Sequence, residues 1–170
     1  MSSNRNLIPS LTEGNGELVL EFFATFSRFE CALKRAHFVK EGAHGSANPD
    51  WTKFADKLDG QLVAIADPDF IEARSYLLTS PPQTQKVNAG ASMGWKWMPN
   101  DPQRTESNER YLLRLVRDVR NNLFHGGKYP TGPVDGEALR NSKLLKACLT
   151  ILDRCQSLDA SVSQFFEEAS

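Results

Sequence analysis

One short stretch of the chain combines residue types that could act on a phosphodiester. Residues 112–128 read L-L-R-L-V-R-D-V-R-N-N-L-F-H-G-G-K and place Arg120, Asn121 and His125 within six positions. Histidine titrates near neutral pH and can take up or release a proton during a reaction. The planar guanidinium of arginine pairs well with phosphate oxygens. Arg120, Asn121 and His125 are therefore the candidate catalytic residues.

This stretch is predicted to form one long helix with two different faces. It begins near residues 105–107 and ends at about His125. At about 100° per residue, Arg117, Asn121 and His125 lie in one polar stripe that faces solvent or a partner. Arg120 lies at the flank of that stripe. The opposite face is apolar and must pack on the core; it contains Leu112, Val116, Val119 and Leu123.

Most of the remaining chain is also predicted to be helical. Apolar residues recur every three or four positions in four further segments, which is the period of an amphipathic helix. Asp67-Pro68 indicates an N-cap followed by proline at the first helical position. No segment shows sustained strand alternation. The expected fold is an all-α, antiparallel bundle of four to five helices, with further helices over residues 17–40, 51–66, 68–78 and 137–167.

A long loop is predicted between residues 83 and 103, and it contains Trp95 and Trp97. Loops of this length are uncommon unless they cover or bind something. Two alternatives stay open for the tryptophans. They cap an open end of the bundle, or they form a stacking platform or a partner contact.

The composition predicts a single domain in the cytoplasm. The chain has 170 residues and a formal net charge of −1, so nucleic-acid binding would need a local basic patch. Residues 1–16 are rich in polar residues and predict a flexible leader, which leaves 17–168 as the domain. No apolar run approaches the ~18 residues of a membrane span, and no signal-peptide core is present.

The cysteines predict neither a disulfide framework nor a metal site. Cys31, Cys148 and Cys155 are odd in number and have no metal-ligand spacing. Cys148 and Cys155 are seven residues apart, which places them on one helical face as small core residues. No metal or other cofactor is expected.

The motif R-N-N-L-F-H at residues 120–125 resembles the R-N-x-x-x-H signature of HEPN domains. Its position at the end of a long helix in a helical chain is also similar. The aromatic-rich first helix, with F-S-R-F-E-C-A-L-K, resembles members from bacterial and mobile-element defence contexts. The resemblance spans about residues 17–166. It implies an RNA-directed module, in many members a metal-independent endoribonuclease that acts as a toxin or defence effector.

The resemblance also implies a role for each site residue. The RNA 2′-hydroxyl would attack the neighbouring phosphate, with His125 as general acid or base and Arg120 stabilising charge on the phosphate. Asn121 would orient His125 or contact RNA, and Arg117 and Lys128 would bind RNA. HEPN domains typically form homodimers in which two motifs meet. Arg120 and His125 are about 140° apart on an ideal helix, so two chains could aim them at one phosphate.

Several structural alternatives stay open for these residues. His125 could bond only the last carbonyls of its helix, and Arg120 could pack its stem on neighbouring apolar residues. Glu30 is a candidate accessory site residue, although its spacing also fits an ion pair with Lys34. Arg117 could be an ordinary solvated charge.

Three functions are consistent with the sequence. The first is the ribonuclease, held in check by an antitoxin or another regulatory protein. The second is a catalytically silent HEPN-like module that binds RNA or protein, which would suit the near-neutral charge. The third is a helical adaptor whose Trp95 and Trp97 loop makes the contact.

Overall fold

The chain is mostly helical, as the sequence predicts. The computed structural model describes residues 16–88, 94–124 and 135–169. The helices of these ranges are α1 (Gly16–Arg35), α2 (Trp51–Lys57), α3 (Pro68–Thr79), α4 (Asn108–Phe124), α5 (Asp135–Ser157) and α6 (Ala160–Glu168). The strands are β1 (Val39–Glu41), β2 (Ala47–Pro49), β3 (Thr84–Asn88) and β4 (Gly94–Met98). The described residues thus form six α-helices instead of the four or five expected, together with two antiparallel hairpins.

The aromatic face of α1 forms the centre of the core. Phe22, Phe26, Phe29 and Leu33 are buried, as their helical spacing predicts. The indole of Trp51, at the start of α2, stacks on Phe29 and Phe26 with ring centroids 5.2 and 5.4 Å apart. Burial of each such side chain contributes about 1.5–3 kcal/mol. These contacts fix α1 against α2.

Helix α1 ends at Arg35, before the predicted end at residue 40, so Gly42 and Gly45 do not stop it. The terminating residue is His37, which has a φ of 64° in the left-handed region. The N–H of Phe38 then donates to the carbonyl of Leu33 at 2.9 Å, a hydrogen bond typical of a Schellman helix end. Phe38 is buried against the core, so tertiary packing places the helix end where the sequence lacks a glycine.

Helix α2 is also shorter than predicted and ends at Lys57 rather than residue 66. Turns follow it, with Gly60 at a φ of 74°. Leu58 and Leu62 are nevertheless buried, which explains why their spacing resembles a continuing helix. The N-cap prediction for α3 is confirmed, because the Asp67 carboxylate accepts a hydrogen bond from the backbone N–H of Phe70 at 3.0 Å.

The long final helix of the prediction is divided in two. Asp159 caps α6 by accepting hydrogen bonds from the backbone N–H groups of Ser161 and Val162 at 3.0 and 3.1 Å. Cys155 of α5 and Val162 of α6 are both fully buried, so one apolar face continues across the break. Cys148 is buried as predicted, and burial raises the pKa of the thiols of Cys148 and Cys155.

The helices pack as a compact set around α1 and α5. Helix α1 contacts α5 and α6, α3 packs on α5, and α2 packs on α4. Within residues 16–88, 94–124 and 135–169, no helix has the length and apolar character needed to cross a membrane. The predicted leader, apart from Gly16 at the start of α1, lies outside the described residues.

Candidate functional site

Helix α4 holds the candidate site residues because one of its faces is locked into the core. Leu112, Val116 and Val119 are buried, and Leu123 packs against the core from its edge. The face opposite carries Arg117, which is exposed, and Asn121, which is half-buried. The predicted division of this helix into an apolar and a polar face is therefore observed.

Arg120 and Asn121 are directly connected. The Nη1 of Arg120 donates a hydrogen bond to Oδ1 of Asn121 at 3.2 Å. The Arg120 guanidinium also lies over the ring of Phe26 in α1, 5.8 Å from its centroid, a cation–π contact. Arg120 and Asn121 both lie in the last turn and a half of α4. The contact with buried Phe26 restricts the directions in which the guanidinium can point.

Two of the predicted site residues, His125 and Lys128, lie outside the described residues. Within the described part of the chain, the structure therefore brings together Arg120 and Asn121. Arg117 is one turn earlier on the same helix, where it lines a cleft of about 240 Å³ together with Trp51 and Arg110. Arg117 forms none of the ion pairs found among the described residues.

The other two arginines that line this cleft have carboxylate partners. Arg110 donates from Nε and Nη2 to the Asp56 carboxylate at 2.5 and 2.7 Å, and this bidentate pair is well exposed. The same pair lowers the pKa of Asp56 and raises that of Arg110. Arg114 is held by Glu106 through two hydrogen bonds of 2.8 Å. Arg117 thus differs from its two neighbours, because no carboxylate in the described part of the chain forms an ion pair with it.

A polar network around Arg114 was not anticipated from the sequence. Arg114 also donates to Oδ1 of Asn100, whose own amide donates to Asp118 at 2.8 Å. Asn100 is buried, and its backbone carbonyl accepts a 2.7 Å hydrogen bond from the Tyr111 hydroxyl. Asp118, one helical turn after Arg114, is a second acidic partner at 3.5 Å, and Glu106 is the nearer one at 2.8 Å.

Glu30 is engaged by a tryptophan. Its Oε1 accepts a hydrogen bond from the indole N–H of Trp51 at 3.0 Å. This contact replaces the ion pair with Lys34 that the spacing also allowed. Trp51 stacks on Phe26, the same ring that lies beneath the Arg120 guanidinium. Glu30 therefore supports the aromatic cluster next to Arg120.

The β3–β4 hairpin occupies the segment that was predicted to be a loop. Both of its ends are tied to α4. Before β3, the carbonyl of Gln83 accepts a 2.7 Å hydrogen bond from the side-chain amide of Asn122, which is buried. After β4, Asn100 is held by Tyr111 and Arg114. The hairpin is thus anchored at both ends to the helix that carries Arg120 and Asn121.

The tryptophans of this hairpin remain accessible. Trp95 is 57% exposed, and Trp97 is half-buried. Their rings meet edge to face, with centroids 5.6 Å apart. The exposure of Trp95 does not fit the alternative in which both residues cap an open end of the bundle.

The described residues include no group of three or more His, Cys, Asp or Glu side chains arranged to hold a metal ion. The chain matches no protein-family model. A search of curated proteins and a search of solved structures also find no match. Any assignment of function depends on the residues themselves.

Proposed function

We propose that this protein is a HEPN-like, RNA-directed endoribonuclease that works without a metal ion. The observation that carries the proposal is the Arg120–Asn121 pair, joined by a 3.2 Å hydrogen bond at the C-terminal end of α4. These two residues are the first part of an R-N-x-x-x-H motif whose histidine is His125. A helical fold with this motif at the end of a long amphipathic helix supports the proposal.

The proposed reaction is an internal transesterification of RNA. The 2′-oxygen attacks the adjacent phosphorus while the bond from phosphorus to the 5′-oxygen breaks. His125 accepts the proton of the 2′-hydroxyl or donates one to the departing 5′-oxygen, a role typically worth ~10²–10⁴-fold in rate. The products are a 2′,3′-cyclic phosphate and a 5′-hydroxyl. The need for a 2′-hydroxyl restricts the reaction to RNA.

Arg120 suits the task of stabilising the phosphate during this reaction. Its guanidinium is confined between the Phe26 ring and the Asn121 side chain. A group that is held in place before the charge develops loses little free energy in reorganising around it. Arg117, one turn away and exposed, is placed to contact a neighbouring phosphate. Asn121 then acts as a positioning residue for Arg120 and His125.

A composite site between two copies of the chain completes the proposal. On an ideal helix, residues five apart point about 140° away from each other, so Arg120 and His125 of one chain would diverge if the helix reached His125. A two-fold axis near the end of α4 would bring Arg120 of one copy towards His125 of the other. A regulatory partner such as an antitoxin would act by covering this region.

The proposal is tested by comparing cleavage of total RNA and tRNA by the parent, Arg120→Ala and His125→Ala proteins, all in EDTA. Arg28→Ala provides a matched control, because the Arg28 guanidinium also lies over a phenylalanine, at 4.8 Å from the Phe166 centroid. We expect the parent and Arg28→Ala to cleave RNA at similar rates. The cleavage rate of the two motif variants should fall by at least about 10²-fold. Equal loss in Arg28→Ala would indicate damage to the fold instead.

A catalytically silent RNA-binding module is the second candidate. It is favoured by the engagement of Arg110 and Arg114 with carboxylates, which leaves Arg117 as the arginine of the cleft that has no ion pair among the described residues. In that case the parent protein would bind RNA in a salt-dependent manner, would not cleave it, and would keep its affinity in His125→Ala.

A further inference from the structure

The outer half of the β3–β4 hairpin projects into solvent with both faces uncovered. Val87 and Trp95 pair across the strands on one face, and they are 73% and 57% exposed. Lys86 and Lys96 pair on the other face and are also exposed. The inner rungs, with Trp97 and Met98, are half-buried against the body of the protein. This hairpin, called the arm below, is therefore exposed at the two strand pairs that combine aromatic and basic residues.

One face of this arm carries its aromatic side chains. Gln85, Val87, Trp95 and Trp97 share it, because residues opposite each other in an antiparallel pair lie on the same side. Trp97 contacts the Trp95 ring edge to face at 5.6 Å between centroids, which restricts the Trp95 indole while the residue stays 57% exposed. An exposed, braced indole is the feature on which unpaired bases stack.

The other face carries an unbalanced charge. Lys86 and Lys96 are directly opposite each other in the register, and like charges in this position destabilise a hairpin. The segment from Thr84 to Asn100 contains no Asp or Glu that could balance them. Lysine is depleted at protein–protein interfaces, whereas it is the usual partner of nucleic-acid phosphates. The charge pattern therefore favours a polyanion over a protein as the occupant.

We propose that this hairpin is a binding arm for single-stranded RNA, with a base stacked on Trp95 and the flanking phosphates contacted by Lys86 and Lys96. The ribbon is two strands wide, about 5 Å between strand axes, and within the part of the chain that the structure describes no further strand pairs with either edge. A lysine ammonium on its flexible four-carbon stem can reach around such an edge to the backbone of a strand bound on the aromatic face. The choice of RNA rests on the proposed function.

The anchors of the arm attach it to the helix that carries the proposed catalytic residues. Asn122, which holds the carbonyl of Gln83 at 2.7 Å, directly follows Asn121 in the chain. Asn100 holds the other end of the hairpin to Tyr111 and Arg114 of the same helix. RNA captured by the arm would therefore be presented to the C-terminal end of α4.

The test is a binding titration of the full chain in EDTA with a fluorescently labelled 12-nucleotide oligouridylate. Each protein carries His125→Ala so that no cleavage occurs, and a blunt RNA duplex of the same length serves for comparison. We expect Trp95→Ala to weaken binding by about 5- to 150-fold, the range typical of one base–aromatic stack. Trp95→Phe should restore most of the affinity. Val63→Ala, which truncates another side chain that is 63% exposed, should have no effect.

The lysines are tested through the salt dependence of the same titration. Replacing both Lys86 and Lys96 with glutamine should reduce the slope of log affinity against log salt by about 1.4, which corresponds to two single-strand phosphate contacts. Replacing Lys143, an exposed lysine of α5, with glutamine should leave the slope unchanged. An unchanged slope in the double variant would overturn the assignment of these lysines.

Other outcomes overturn the proposal and separate it from the proposed function. If Trp95→Ala leaves the RNA affinity unchanged, the arm does not bind RNA. If the substitution changes the oligomeric state instead, the arm contacts protein. If parent protein cleaves RNA while the Trp95 variants bind normally, only the arm is refuted. Trp95-dependent binding without any cleavage by the parent would support the arm and refute the ribonuclease.

Discussion

Replacement of Glu106 by glutamine tests how the Arg114 network holds the end of the hairpin. The Glu106 carboxylate accepts two hydrogen bonds of 2.8 Å from Arg114, and the side chains are 9% and 20% exposed. A hydrogen bond to a charged group contributes about 1.5–3 kcal/mol. Because glutamine retains one acceptor oxygen, the net loss in free energy of unfolding should be about 1.5–3 kcal/mol. For a chain of this size, that lowers Tm by about 3–12 °C.

The pH dependence of this loss follows from the direction of the pKa shift. The hydrogen bonds from Arg114 lower the pKa of Glu106 in the folded protein. A carboxyl group with a lowered pKa stabilises the fold above its ordinary pKa, and this stabilisation is lost as pH falls through the folded value. The Tm difference between parent and Glu106→Gln should therefore be greatest at neutral pH and shrink progressively below about pH 4.

Thermal unfolding followed by circular dichroism between neutral pH and pH 2 measures both effects. Asp56→Asn is the matched control, since it also breaks a bidentate pair with an arginine of α4, but one that is 40% and 47% exposed. Solvent screens that pair, so its Tm shift should be clearly smaller. Equal shifts for the two variants, or a Glu106→Gln difference that persists unchanged in acid, would refute the reasoning.

Two further predictions concern the hairpin anchor and the thiols. Asn122→Ala removes the hydrogen bond to Gln83 and should lower the free energy of local opening of the hairpin by about 0.5–1.5 kcal/mol. Amide hydrogen exchange in β3 and β4 should therefore accelerate, while that of α1 should not. Unaltered exchange in the hairpin would count against the anchor. A thiol reagent at pH 8 should modify Cys31 alone in the folded protein and all three cysteines after denaturation, because burial raises the pKa of Cys148 and Cys155. Rapid modification of a second thiol in the folded state would contradict their burial.

The core helices were predictable because their signal is local and periodic. Apolar residues at steps of three and four in α1 and α4 can be satisfied only by one buried face, and Phe22, Phe29 and Val116 are fully buried as expected. The Asp67-Pro68 cap was predictable for the same reason, since the capping hydrogen bond forms within four residues. In these elements, neighbouring residues are enough to indicate the helix and its buried face.

The helix ends were not predictable from periodicity. The apolar face of α5 continues into α6 through Cys155 and Val162, and only the Asp159 cap between them breaks the helix. Leu62 likewise continues the spacing of α2 although it lies in a turn beyond Gly60. The end of α1 at His37 depends on packing of Phe38, which no local pattern contains.

The β3–β4 hairpin was missed although a short signal was present. The W-K-W alternation at residues 95–97 has the period of a strand, but it is too short to stand out beside two glycines. The partner strand contributes Val87 as its one strongly apolar residue, so the pairing is evident only in the fold. The Arg114 network was missed because its members are far apart in sequence, with Asn100 fourteen residues from Arg114.

The candidate site was identified from its motif, and the structure adds the contacts of Arg120 and Asn121, the first two residues of that motif. Contacts of Arg120 with Phe26 and Asn121 could not be derived from a single helix, since Phe26 belongs to α1. The interpretation of Glu30 also changed for this reason, because its hydrogen-bond partner Trp51 comes from another helix. Tertiary contacts of this kind are invisible to sequence spacing.

The most direct test of the ribonuclease proposal is the chemistry of the RNA ends that the purified protein produces in EDTA. Mass spectrometry of a short cleaved oligonucleotide distinguishes the alternatives. The account predicts a 2′,3′-cyclic phosphate and a 5′-hydroxyl, formed by the parent and lost in Arg120→Ala and His125→Ala. Cleavage that EDTA abolishes, or products ending in a 3′-hydroxyl, would contradict it.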